Sequence, residues 1–176
     1  MTTPLTATCI MRDDSVHVVG LAATFSCAPA ARWLQLWLRH CGIHVEIVQA
    51  DYGSLLRELS APSAFGGASV ASVGLLNFAD WHLARPSFEA SAFDSDLNLF
   101  IDCVRGALAT LPKLLLLLCP SRPSSAAAAK AFAAAADRLK SLALELPRLC
   151  VLTPSELAHW YPVAEPHDPV ADAIGH

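Results

Sequence analysis

The chain reads as an α/β protein, a three-layer α/β/α sandwich around a mostly parallel sheet of about five strands. Two observations predict this. Short apolar runs alternate with amphipathic stretches along most of the chain, the order of a strand–helix–strand repeat. Several of those runs, "KLLLLLCP" above all, are apolar at successive positions, as strands are when both faces are covered.

Each element has its own local reason. "VHVVGLAATF" (16–25) is a buried strand, and Pro29 suits the first turn of the helix that follows. In that helix Trp33, Leu34, Trp37, Leu38 and Cys41 recur at helical spacing and line one face, the tryptophans reading as core or interface anchors, with Gly42 as its stop. "HVEIVQA" (44–50) alternates as a second strand, and "YGSLLRELS" makes a short helix. "ASVASVGLLNF" (68–78) is a third strand. In "DSDLNLFIDCVRGALATLP", Leu97, Phe100, Ile101, Val104, Leu108 and Leu111 keep a helical period.

"KLLLLLCP" is the fourth strand. The Ala-rich stretch after it is a long helix rather than a linker, because Phe132, Ala135, Leu139, Leu142 and Leu146 form one stripe and Ala favours helix. "RLCVLT" is the fifth strand. In "TPSEL", Thr153, Pro154 and Glu156 have the form of a capping box. The expected division is a tail over 1–14, an α/β domain over 15–161, and a Pro-rich segment over 162–176 leading towards a further domain.

Composition bounds the function. The 176 residues suit one domain, and 54% apolar content fills a core. Only 16% of residues are charged, so some apolar surface is expected to face a partner or a neighbouring domain. A net charge of −4 argues against nucleic acid and anionic membrane as partners. The six cysteines are scattered, without CxxC or metal-ligand spacing, and read as reduced, mostly buried thiols of a cytoplasmic protein. No cofactor, metal, signal peptide or membrane span is indicated.

A ligand site in such a fold lies at the carboxyl ends of the strands. Ser26 stands there. It is a nucleophile if a His activates it and Asn77 helps hold an oxyanion; otherwise it is a turn Ser bonded to backbone. Cys27 is either an acyl-accepting thiol favoured by a helix N-terminus or a buried apolar residue. Asn77 lines a pocket or caps a turn. Asp80 and Trp81 are a site, or a helix start and a packed aromatic. His176 with Asp172 is a base and its orienting acid, or a mobile terminus, and His167-Asp168 is a surface turn. Asp94-Ser95-Asp96 has no apolar strand before it and reads as the polar start of a helix.

Three stretches together resemble the N-terminal domain of FkbH-like proteins of polyketide and nonribosomal peptide assembly lines. They are "ATFSCAPAARWLQLWLRHCGIHVEIVQADYGSLLREL", "VGLLNFADW" and "LTPSELAHWYPVAEPHDPVADAIGH". The resemblance implies a flavodoxin-type, SGNH-hydrolase-like sandwich, followed in the family by a haloacid-dehalogenase-like domain. That domain helps to load a glyceryl unit onto an acyl carrier protein. It implies as partners an acyl or peptidyl carrier protein and the haloacid-dehalogenase-like domain. The family's SGNH-like pattern falls here on Ser26, Gly53, Asn77 and His176, with one residue too many between Asp172 and His176. Thr24, Cys27, Gly53 and Asp80 are expected to line the binding edge. The expected function is accessory, supporting carrier-protein or neighbouring-domain interaction. The alternative is an SGNH-like hydrolase or acyltransferase acting on an ester or thioester.

Overall fold

The computed structural model describes residues 17–82 and 87–162. The elements run β1 (His17–Ala23), α1 (Ala28–His40), β2 (Val45–Gln49), α2 (Leu55–Ser60) and β3 (Ala71–Leu76). A 3-10 turn (Phe78–His82) leads to α3 (Ala90–Ala107), β4 (Leu114–Leu118), α4 (Ala126–Glu145), β5 (Leu149–Leu152) and α5 (Pro154–Trp160). The five strands form one all-parallel sheet in the order β2-β1-β3-β4-β5. This is the flavodoxin-like order, with its switch point between β1 and β3. The expected tail over 1–14 and nearly all of the Pro-rich segment, with His167, Asp168, Asp172 and His176, lie outside the described residues.

Local signals place the ends. Gly42 stops α1 in the left-handed region at φ 75°. Ser125 caps α4 by accepting from the Ala128 N–H. Thr153 and Glu156 close the expected capping box on α5, with Pro154 in its first turn. Asp94 and Asp96 lie inside α3, where Asp94 pairs with Arg138 of α4 at 2.6 Å.

The two faces of the sheet are covered unequally. On the first face α2, α3 and α4 bury Leu114, Leu116 and Leu118 of β4 with Leu55, Leu97, Phe100, Val104 and Leu139. On the second face the described cover is α1, and the buried cluster is small: Leu21, Ala23, Cys27 and Ala31. Val73 and Leu75 of β3 lie beside Leu115 and Leu117 of β4, which lie in turn beside Cys150 and Leu152 of β5. Alternation puts these on the second face, where Cys150 is exposed and the rest are half-buried.

Of the two readings of the α1 tryptophans, core or interface, the exposed one holds, while Leu34 and Leu38 of the same face are half-buried. Trp33 and Trp37 are each 62% exposed and Cys41 is exposed, whereas Ala31 is the buried residue of the helix. The stripe is genuinely amphipathic, but its wide aromatic part faces away from the strands. The fully buried residues between α1 and the second face are the small Ala31 and Cys27, with Leu34 and Leu38 half-buried. The cysteines are also less buried than expected: Cys27 is buried, Cys103 and Cys119 are intermediate, and Cys41 and Cys150 are exposed.

Candidate functional site

Three strand ends meet in one polar cluster. Thr24 follows β1, Asn77 and Asp80 follow β3, and Ser121 follows β4. The Thr24 Oγ1 hydroxyl donates to Asp80 Oδ2 at 2.7 Å and accepts from the Asn77 backbone N–H at 3.0 Å. Asn77 Nδ2 donates to Asp80 Oδ1 at 3.2 Å. Asn77 Oδ1 accepts from the Ala79 N–H at 3.1 Å and from the Ser121 hydroxyl at 2.5 Å. The Ala79 bond fixes which end of the Asn77 amide is oxygen, and so aims its nitrogen at Asp80. The cluster spans the switch point, where this topology opens a crevice.

Its electrostatics show on Cys119, the last residue before the β4 turn. Burial, and then the nearby Asp80 charge, push that thiol up to about 11, against a smaller opposing effect of a hydrogen bond with the Leu76 backbone. Cys119 is therefore a neutral thiol at physiological pH. Cys27 is raised too, chiefly by burial. Desolvation there outweighs an opposing hydrogen bond with the Cys27 backbone, so burial favours the neutral thiol at the α1 N-cap.

The expected site residues thus divide. Thr24, Asn77 and Asp80 come together. Gly53 stands at the same edge: its φ is 64°, and a Cβ there would lie 3.8 Å from the Thr24 carbonyl oxygen. Ser26 is exposed, and among the described residues its hydroxyl bonds neither the cluster nor the backbone. The cap position of α1 belongs to Cys27, without a side-chain cap bond. His176 lies outside the described residues. Ser121 lies in a turn, 119–121, that the sequence places at a strand end, but sequence reasoning did not single it out as a site residue. The available signal was its place just after the apolar β4 run, at the same sheet edge as Asn77.

Chemically, the cluster is a clamp. Both carboxylate oxygens of Asp80 accept hydrogen bonds, and the Thr24 hydroxyl proton is committed to Asp80. Among the described residues no imidazole hydrogen-bonds Thr24 or Ser26; the Thr24 hydroxyl faces the Asp80 carboxylate, and the Ser26 hydroxyl faces no base there. Among the described residues there is also no group of three or more His, Cys, Asp or Glu able to hold a metal, and no helix is long and apolar enough to cross a membrane.

No family model matches the chain, and no curated protein matches it by sequence. Among solved structures it is similar to the N-terminal part of the protein BF1531 from Bacteroides fragilis, a crystal structure containing a phosphatase domain complexed with Mg. The TM-score is 0.72 at 9% identity, over 90% of this chain and 46% of that one. The likeness shows the fold, and the chain spans about half the length of the structure it matches. The residues at the switch point do not fit a bound Mg. They supply one carboxylate, Asp80, whose two oxygens are already bonded, with no second acid beside it in the cluster.

Proposed function

We propose that this chain is an accessory, non-hydrolytic domain of an FkbH-like assembly-line protein, and that it works by docking a neighbouring phosphatase-like domain or a carrier protein. One observation carries the reading. Parallel sheets are normally covered on both faces. Here the buried cluster of the second face, among the described residues, is confined to Leu21, Ala23, Cys27 and Ala31, and Leu115, Leu117 and Leu152 are half-buried and Cys150 exposed. Beside that face α1 presents Trp33 and Trp37, residue types that anchor interfaces. At the polar edge, by contrast, the described side chains hydrogen-bond one another, and no imidazole among the described residues reaches Thr24 or Ser26. The sequence resemblance supports the assembly-line context. The likeness to part of a longer chain that contains a phosphatase domain agrees with a domain that works beside another.

The alternative rests on Ser26, an unbonded exposed hydroxyl at the carboxyl end of β1. A binding measurement and an ester assay separate the two. Titration with a haloacid-dehalogenase-like domain of the family, and with a holo-acyl carrier protein, is expected to give saturable binding to one of them. Trp33→Ala with Trp37→Ala should weaken it by about tenfold or more while leaving the thermal midpoint near wild type. Hydrolysis of p-nitrophenyl esters or acyl-pantetheine that disappears in Ser26→Ala would replace the docking reading with the hydrolase one.

A further inference from the structure

We propose that the cleft at the carboxyl ends of β4 and β5 binds a short, uncharged acyl group, as carried by a thioester or an ester. The cleft encloses about 500 Å³, within the size range of small-ligand sites. Its floor is Leu118, the last residue of β4, with Phe78 from the turn after β3. One wall is α4, through Phe132 and Ala133. These groups offer contact to a hydrocarbon body and almost nothing to a polar one.

The mouth sets the ligand's other end. Ser121 and Ser155 stand there. The Ser121 hydroxyl spends its proton on Asn77 Oδ1, so its oxygen is an acceptor. The Ser155 hydroxyl lies 3.0 Å from Thr153 Oγ1, is exposed, and can turn to donate to a carbonyl. Among the described residues on the lining the charged side chain is Asp137, and none of them is Lys, Arg or His. A carboxylate or phosphate entering here meets the like charge of Asp137, which disfavours free acids and phosphorylated three-carbon units relative to a neutral carbonyl. A thioester or ester carbonyl is neutral and needs one donor. Cys119 lines the same cleft as a neutral thiol, so it adds no charge of its own.

Through Ser121 and Phe78 the cleft adjoins the switch-point clamp, which holds its rim in place. The proposal stands on the cleft alone and does not rest on the docking reading, so either can fail without the other. The test is a titration of the intact chain, labelled with 13C in its alanine methyls, with hexanoyl-pantetheine and separately with hexanoate. Saturable shifts centred on Ala129, Ala133 and Ala136 are expected with hexanoyl-pantetheine, and about tenfold weaker binding with hexanoate. Ala133→Phe, on an exposed helical position, should fill the cleft and abolish the shifts while the rest of the spectrum stays in place. The smaller Ala136→Leu should weaken them. Absence of saturable shifts at these methyls in the wild-type chain would overturn the proposal. So would equal binding of hexanoate, or binding undiminished in both variants.

Discussion

A carboxylate with no exposure to water is costly unless every lone pair is answered. Glu58, fully buried on α2, is answered by the Ser63 hydroxyl at 2.5 Å and the backbone N–H groups of Ser63 at 2.9 Å and Phe65 at 3.1 Å. Burial opposes its ionisation, yet these hydrogen bonds together with one from the Ala64 backbone outweigh it and hold the carboxyl below the ordinary range. The sign follows. A folded pKa below the unfolded one contributes stability above the unfolded pKa, and that stability is lost as pH falls through the folded one. Glu58→Ala should cost about 3 kcal/mol in denaturant melts at neutral pH, because it strands the loop N–H groups as well. Glu58→Gln should lose less and should flatten the acid limb of the stability profile; an unchanged acid limb would show that the loop does not depend on the charge. Nothing in "LLRELSAPSAF" announced this. The spacing reads as an ordinary short helix, and the buried acid becomes visible only when the loop folds back over it. Thr24, Asn77 and Asp80 were legible because strand ends are where this fold gathers polar side chains. Their closure into a clamp was not, since it depends on distances across three strands.

Two glycines of opposite sign show how elements constrain sequence. A Cβ on Gly20 of β1 would sit 2.7 Å from the Ala64 carbonyl oxygen and 3.0 Å from Phe65 Cδ1. The nearest atom is backbone, in the loop that Glu58 ties down, so it cannot swing aside. Gly20→Ala should therefore destabilise by about 2 kcal/mol. Gly106 lies in α3 with nothing within 4 Å of an added Cβ, and Gly106→Ala should stabilise by up to about 1 kcal/mol. Paired thermal melts check both signs at once. Most elements could be read from the sequence to within a few residues, since apolar runs, Pro29, Gly42 and the Thr153 capping box are local signals. α1 was the exception, its tryptophans fitting core or interface equally. A hydrophobic stripe shows that a helix has an apolar face, but not which part of the face meets the strands. Above Leu21 and Ala23 the buried residue of the helix is Ala31, and Trp33 and Trp37 stay outside. The start of α3 was also set late: Phe93 belongs to the buried side of a helix that begins at Ala90, before the polar Asp94.

At the scale of the molecule, the unequal faces imply unequal local stability. The first face holds α2, α3 and α4 against the sheet through one continuous core, with Phe78, Trp81, Phe93 and Phe132 packed ring to ring at its upper end. Opening any of those helices exposes large aromatic or branched side chains. α1 is different. It packs chiefly on β2 and buries only Ala31 of its own residues. Local opening exposes little additional apolar area when the helix is already largely in water, so its free energy should be far below that of global unfolding. The strand order puts α1 over β1 and β2, at one side of the sheet, where β2 is also an edge strand. Native-state hydrogen exchange should accordingly find the amides of 34–40 exchanging by local opening, at rates orders of magnitude above those of β3, β4 and the middle of α4. A partner seated on the second face across α1 would bury Trp33 and Trp37 and slow that exchange without altering α3 or α4. If α1 already exchanges only through global unfolding in the isolated chain, its packing is tighter than the single buried alanine implies. The tryptophan face would then be a rigid, preformed surface rather than one that a partner orders.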